Sequence, residues 1–233
     1  METIKAKLIE TIDRVPGVRS FRLRPQKRVD FVPGQFLQVI FDPANKDLNK
    51  YLSFSSSPTK EYIEFTKRLS NSLFSERLKS LKENDEVMLK APLGTCVFKE
   101  EYRKIAFLIG GIGITPVISI LEYIVEKRLA TDALLFYSNR TDEDIAFRRE
   151  LDFWQSVAKN IRAFYLVTEC EPQDKKCLFG RINKELLIKE AGDFSERVFF
   201  IFGPPKMVEA MHKLSLDIGC KEENIKTENF IGY

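Results

Sequence analysis

Near residue 103 the hydrophobic rhythm of the chain changes, and one continuous sheet cannot accommodate both halves. Before it, apolar and polar residues alternate in short runs. Ile4, Ala6 and Leu8 alternate with Lys5 and Lys7, and Phe21 and Leu23 with Arg22 and Arg24. Phe36 to Phe41 is mostly apolar, Tyr62 to Thr66 alternates, and Val87 to Leu89 is short and apolar. Pro16-Gly17, Pro33-Gly34, Asp42-Pro43 and Asn84-Asp85 separate these runs, a pattern that predicts a small antiparallel β-barrel. One helix interrupts it, with Phe74, Leu78 and Leu81 at helical spacing and Ser72 or Ser75 as its cap. After residue 103, apolar strands at Ile105–Ile109, Ala133–Tyr137, Ala163–Val167 and Val198–Phe202 take turns with helical stretches. Those stretches are Pro116–Arg128, Glu143–Ala158, Asn183–Glu190 and Pro205–Ile218. Strand–helix alternation predicts a doubly wound parallel α/β sheet. The charged Lys99-Glu100-Glu101 marks the junction, which gives two domains, 1–99 and 103–233.

Composition narrows the function classes. The 233 residues carry a net charge of only +3, too balanced for nucleic acid or an anionic membrane as the main partner. No apolar run reaches the roughly 20 residues of a membrane helix. Met1 to Lys7 lacks a signal-peptide core, so a cytoplasmic protein is the expectation. Cys96, Cys170, Cys177 and Cys220 form no Cys-x-x-Cys pair. Cys170 and Cys177 are close enough in sequence to pair, but ordinary thiols and no metal are expected. His212, the single histidine, reads as a surface residue, so a mechanism resting on a histidine base has little to draw on.

Three segments after residue 103 suit a nucleotide. Gly110, Gly111 and Gly113 let backbone N–H groups approach a phosphate, and Thr115 and Pro116 then open a helix whose positive end faces it. At the end of the second strand stand Ser138, Asn139 and Arg140, where an arginine in place of an acid favours a 2′-phosphate. Arg148 and Arg149 follow; both lean the reading to NADP, or else they are solvated helix-end charges. Gly203 and Pro204 turn the chain closely after the last apolar strand. In the first half, Lys50 to Pro58 sets hydroxyls and a cation beside aromatic residues, suited to a phosphate and a planar ring. Ser75 offers a second phosphate contact. A polar barrel rim gives the same composition.

Together these segments resemble the ferredoxin–NADP reductase family, over nearly the whole chain and in the family's order. Lys50, Leu52, Ser53 and Ser56 occupy the positions of its flavin-binding Arg-x-(Tyr/Phe)-(Ser/Thr)-x-x-Ser stretch. Ala91-Pro92-Leu93-Gly94 resembles its Gly-Pro-x-Gly turn, and Gly110 to Pro116 its dinucleotide loop. Tyr137 to Thr141 with Phe147 and Glu150-Leu151 resembles its ribose-side segment, and Phe202 to Val208 its Cys-Gly-Pro-Pro-x-Met-Val element. Glu228-Asn229-Phe230 resembles its terminal Glu-x-aromatic, followed here by Ile231-Gly232-Tyr233. Three departures stand out: Lys50 replaces arginine and loses a bidentate fork, Leu52 replaces an aromatic, and Phe202 replaces a cysteine.

The resemblance implies FAD on the barrel and NADP, or NAD, on the α/β half. It implies hydride transfer to the flavin in a cleft between domains, with Ser53 near flavin N5. Glu228 would orient the nicotinamide or relay a proton, and Phe230 would shield the flavin face. It further implies electron release to ferredoxin or flavodoxin, for which Arg22, Arg24, Lys27 and Arg28 are candidate docking charges or simply a solvated strand face. Two rival readings are reduction of a small acceptor (free flavin, a quinone, a ferric chelate) and an electron-transfer or regulatory subunit of a larger enzyme.

Overall fold

The computed structural model describes residues 3–169 and 171–230. Cys170 lies outside them, and with it any pairing to Cys177; so do Ile231, Gly232 and Tyr233. Two compact units emerge, Met1–Phe98 with Thr115–Tyr123, and Lys99–Ile114 with Ile124–Gly232.

In the first unit the strands are β1 (Thr3–Val15), β2 (Val18–Pro25), β3 (Phe36–Ile40), β4 (Asn49–Ser53), β5 (Ile63–Arg68) and, after helix α1 (Leu73–Lys79), β6 (Glu86–Leu93). They form an antiparallel sheet in the order β4-β3-β6-β1-β2-β5. A bridge between Phe54 and Phe65 joins the end of β4 to β5 and closes the sheet, as the alternation predicts. The alternate residues Ile4, Ala6, Leu8, Phe21, Leu23, Leu37, Val39, Val87 and Leu89 point inward and build the core. Ser72, not Ser75, caps α1 by accepting the Ser75 N–H. The core also holds a polar knot. Glu64, 2% exposed, pairs with Arg14 at 2.9 Å and Arg22 at 2.8 Å, while Ser55 donates to it and Ser20 and Ser55 both bond Thr66.

The second unit carries β7 (Lys104–Gly110), β8 (Asp132–Asn139), β9 (Ile161–Val167), β10 (Cys177–Phe179), β11 (Val198–Gly203) and β12 (Ile225–Asn229). All neighbours run parallel in the order β10-β9-β8-β7-β11-β12. The chain thus winds outward from β7 in one direction and then in the other, so the strand order reverses between β7 and β11. Its helices are α3 (Arg148–Val157), α4 (Lys184–Glu190) and α5 (Pro205–Asp217), while α2 (Thr115–Glu126), which follows β7 in the chain, lies mostly in the first unit. α3 starts five residues later than its periodicity predicts, because Phe147 sits in the left-handed region at φ +61 and breaks the run from Glu143. β10 and β12 were not expected. Three residues at a sheet edge, and the polar Lys226-Thr227-Glu228, give little apolar signal.

Candidate functional site

The two ends of the parallel sheet are built differently. At the amino ends of its strands, Arg197 is 2% exposed and its guanidinium pairs with Asp132 at 2.5 Å and Asp193 at 2.6 Å. It also donates to the carbonyls of Ile105 and Asp132, and Lys104 joins Asp193 and Glu196. Burial works against the Asp193 carboxylate, but hydrogen bonds from Lys104 and Arg197 outweigh it and hold its pKa below the ordinary value.

At the carboxyl ends the balance reverses. Asn139, buried at the end of β8, leaves both amide atoms without a partner among the described residues. Glu228 on β12 buries Oε2 with no partner, and burial pushes its pKa up to about 7. Register pairs Glu228 with Phe202, so both side chains lie on one face of the sheet, with the Phe202 and Phe230 rings 6.5 Å apart. Phe230 is held by its N–H to the Gly203 carbonyl. Phe202 itself is fully buried, packed toward Phe200 at 5.9 Å, so packing has taken the place where the family carries a thiol.

Glycines at this end serve two ends at once. A Cβ on Gly113 would meet the Phe202 carbonyl oxygen at 2.5 Å, and one on Gly110 would meet the Met207 sulfur at 2.3 Å. Gly203 passes close to Gly110, across the point where the strand order reverses. Gly111 differs: at φ +52 it has open space within 4 Å of where a Cβ would stand. Thr115 and Pro116 are buried in the first turn of α2, and Pro204 precedes α5, whose first residue is Pro205. Open backbone at Gly111 and orphaned polar atoms at Asn139 and Glu228 fit a nicotinamide dinucleotide lying across this end.

The ribose-side arginines separate. Arg148 lies 3.7 Å over the Tyr165 ring and pairs with Asp152 and Asp174, so it is consumed internally. Arg149 is exposed. Arg140 is also exposed, with one loose contact to Glu169 at 3.5 Å, and Ser138 is half-buried beside it.

In the first unit most of the serine-rich stretch is spent on architecture. The Ser56 hydroxyl accepts from the Glu64 N–H, and Ser57 pairs with Thr59 while its N–H donates to Glu122 of α2 at 2.7 Å. Ser75 is fully buried and accepts from the Ser70 N–H. Ser53, 5% exposed, makes no side-chain hydrogen bond among the described residues and is the hydroxyl left for a ligand. Lys50 is exposed on β4, and sequence reasoning missed its neighbour Lys67 on β5. Burial, and then the Lys50 charge, lower the Lys67 pKa. Two ammonium groups placed together with no acid paired to either among the described residues fit the phosphates of a flavin. The signal was present in Thr66-Lys67-Arg68, a basic break in an apolar strand. Arg22, a candidate docking charge, is committed to Glu64 and Glu10, and Arg28 to Asp30.

Comparison with known proteins agrees with this division. Residues 5–98 match the model of the oxidoreductase FAD-binding domain and residues 107–213 that of the oxidoreductase NAD-binding domain. The flavohemoprotein of Bacillus subtilis (strain 168) is 28% identical over 226 residues, covering 91% of this chain and 55% of that protein. The glycine betaine monooxygenase reductase subunit of Pseudomonas aeruginosa (strain UCBPP-PA14) is 29% identical over 218 residues, covering 89% and 59%. The chain thus spans little more than half the length of these relatives. A ferredoxin NADP+ reductase from Neisseria gonorrhoeae, solved with bound FAD and NADP, superposes with a TM-score of 0.83 at 20% identity, covering 98% of this chain and 99% of that one. An FAD-binding domain followed by an NAD-binding domain, on an antiparallel barrel and a doubly wound sheet, makes this chain a member of the ferredoxin–NADP reductase family.

Proposed function

We propose that the chain passes hydride from NADPH to bound FAD and then electrons to a protein acceptor such as ferredoxin or flavodoxin. Residues 1–99 form its flavin domain and 103–233 its nicotinamide domain, and it works in the cytoplasm. The observation that carries this reading is Glu228, whose Oε2 is buried without a hydrogen-bond partner among the described residues, on the face shared by Phe202. An acid whose pKa burial lifts to about 7 is protonated far more often near neutral pH than an ordinary carboxyl, and in that form it donates a hydrogen bond to an incoming amide carbonyl. Flavin, when bound, supplies acceptance of electrons in pairs and their release singly.

The remaining roles belong to the chain. Lys50, with Lys67, neutralises flavin phosphate, and Ser53 offers a hydroxyl at the ring edge. Leu52, Ser56 and Ser75 complete the proposed flavin-binding set. Gly110, Gly111, Gly113, Thr115 and Pro116 form the turn that takes the nicotinamide pyrophosphate, and Gly203 and Pro204 border it. Ser138, Asn139 and Arg140 receive the adenosine ribose, with Arg140 as the cation for a 2′-phosphate. Phe230 covers the flavin face and excludes water until the nicotinamide arrives.

The visible spectrum of purified protein and anaerobic titration with NADPH and NADH test the reading. Bound flavin that bleaches stoichiometrically, faster with NADPH, is expected; protein that neither holds FAD nor bleaches it overturns the assignment. A second reading, the electron-transfer subunit of an oxygenase, draws support from the monooxygenase reductase subunit among the relatives. Under it, turnover with isolated acceptors is slow and rises only with an oxygenase partner.

A further inference from the structure

Strand β4 ends at Ser53, and the chain beyond it needs another source of order. Ser53 still lies opposite Phe36 in register, and the Phe54 N–H still reaches the Gln35 carbonyl at 3.2 Å. Past that point the ladder shrinks to the Phe54–Phe65 bridge. One residue of β5, Glu64, takes hold of the next two. Its carbonyl accepts the Ser55 N–H at 2.7 Å, and its own N–H donates to the Ser56 hydroxyl at 2.9 Å. Its carboxylate oxygen Oε1 accepts from the Ser55 hydroxyl at 3.2 Å. Backbone and side chain of a single residue therefore fix both serines.

The carboxylate is itself held in place. In register Glu64 lies opposite Arg22, whose Nε reaches Oε2 at 2.8 Å, and Arg14 reaches Oε1 at 2.9 Å. Arg14 also donates to the Ser20 hydroxyl at 2.7 Å. Ser20 bonds Thr66 at 2.6 Å, and Thr66 bonds Ser55 at 2.7 Å. Glu64, Arg14, Ser20, Thr66 and Ser55 thus close a ring of hydrogen bonds. A buried carboxylate carries a desolvation cost that an apolar side chain of similar volume avoids, so packing alone does not call for one here. What it adds is direction. Hydrogen bonds from fixed atoms set where Ser55 and Ser56 lie, and a fully satisfied network makes that place rigid. Ser53, two residues before Ser55, is the hydroxyl that this stretch leaves uncommitted among the described residues.

We infer that Glu64 is a positioning residue: through Ser55 and Ser56 it sets the place of the Ser53 hydroxyl for flavin. The inference rests on the flavin function proposed above and on Ser53 as its ring-edge hydroxyl. The test is a double-mutant cycle on the full chain at saturating FAD. Anaerobic stopped flow gives the rate of flavin reduction by NADPH, and the visible absorption band of the bound flavin is recorded for each variant. Ser53→Ala is expected to slow reduction about tenfold and to shift the band. Glu64→Gln, which keeps the shape and removes the charge, is expected to slow it by a similar factor and to shift the band the same way. Combined, the two are expected to slow reduction no further than Ser53→Ala alone, because both withdraw one hydroxyl. Factors that multiply in the double variant overturn the inference, as does a Glu64→Gln protein with the rate and band of the parent. If Glu64→Gln does not fold, Ser55→Ala takes its place in the cycle and cuts only the hydroxyl link. It is expected to slow reduction about threefold, an effect that disappears beside Ser53→Ala. An effect that persists there overturns the inference. If Ser53→Ala reduces its flavin like the parent, the inference falls while the flavin function stands. If the parent itself binds no FAD, the proposed function and this inference fall together.

Discussion

The amino and carboxyl ends of the parallel sheet share the same six strands but treat their polar groups in opposite ways. At the amino ends, Arg197 is buried among two carboxylates and two carbonyls, and its charge is answered on every side. At the carboxyl ends, both amide atoms of Asn139 and the Oε2 of the half-buried Glu228 are buried with no hydrogen-bond partner among the described residues. A fold does not leave polar atoms orphaned without cost, roughly 1–3 kcal/mol for each neutral group. The difference teaches where stability is made and where it is given up to hold a ligand.

Removing the answered charge has the largest effect. Arg197→Met leaves Asp132 and Asp193 facing each other, and a loss of about 3–5 kcal/mol is expected in urea unfolding. A loss below about 1 kcal/mol would mean the amino end is no better satisfied than the other.

Glu228→Gln moves stability the other way. The folded carboxyl titrates near 7 against an ordinary 4.5, so between those values the unfolded chain gives up its proton first. The parent therefore loses stability as pH rises from 4.5 to 7, by about 3 kcal/mol at most. The variant is expected to melt higher than the parent at pH 8 and alike at pH 4, while flavin reduction by NADPH slows. Equal melting at both pH values would show that Glu228 carries no burial penalty.

Two alanines separate packing from binding within one turn. Gly113→Ala drives a Cβ into the Phe202 carbonyl and is expected to cost about 1–3 kcal/mol. Gly111→Ala meets nothing and costs only the left-handed backbone penalty of about 1 kcal/mol, but it places a methyl where the pyrophosphate would lie. Calorimetry with NADP+ is expected to show the greater affinity loss, measured on folded protein, for Gly111→Ala.

The smallest effect on stability is at the exposed Arg140. Arg140→Ala is expected to leave the melt unchanged and to raise KM for NADPH about tenfold with little change for NADH. Equal rises for both cofactors would remove Arg140 from 2′-phosphate recognition.

Much of this was legible in the sequence. Periodicity located both sheets and four of the strands in the second, because buried parallel strands are continuous apolar runs. The glycine turn was legible as a run of glycines after an apolar strand, and at 113 only glycine avoids the Phe202 backbone. What the residues did not reveal was who answers whom. Ser55, Ser56, Ser57 and Ser75 have the same chemistry as Ser53, yet they bond Glu64, Thr66, Thr59 and Ser70, contacts made across the barrel or a turn. Arg148 looked like Arg140 until Tyr165, Asp152 and Asp174 closed around it.

The tight fit of Gly113 under the Phe202 carbonyl has a kinetic consequence. Because the Phe202 carbonyl of β11 and Met207 of α5 already pack against Gly113 and Gly110, the turn is held from behind before any ligand arrives. Binding then freezes little additional backbone, so the entropic penalty that a floppy phosphate loop would incur is absent. Association with a nicotinamide dinucleotide should consequently proceed in one fast phase, limited by encounter and not by a slow rearrangement of the loop.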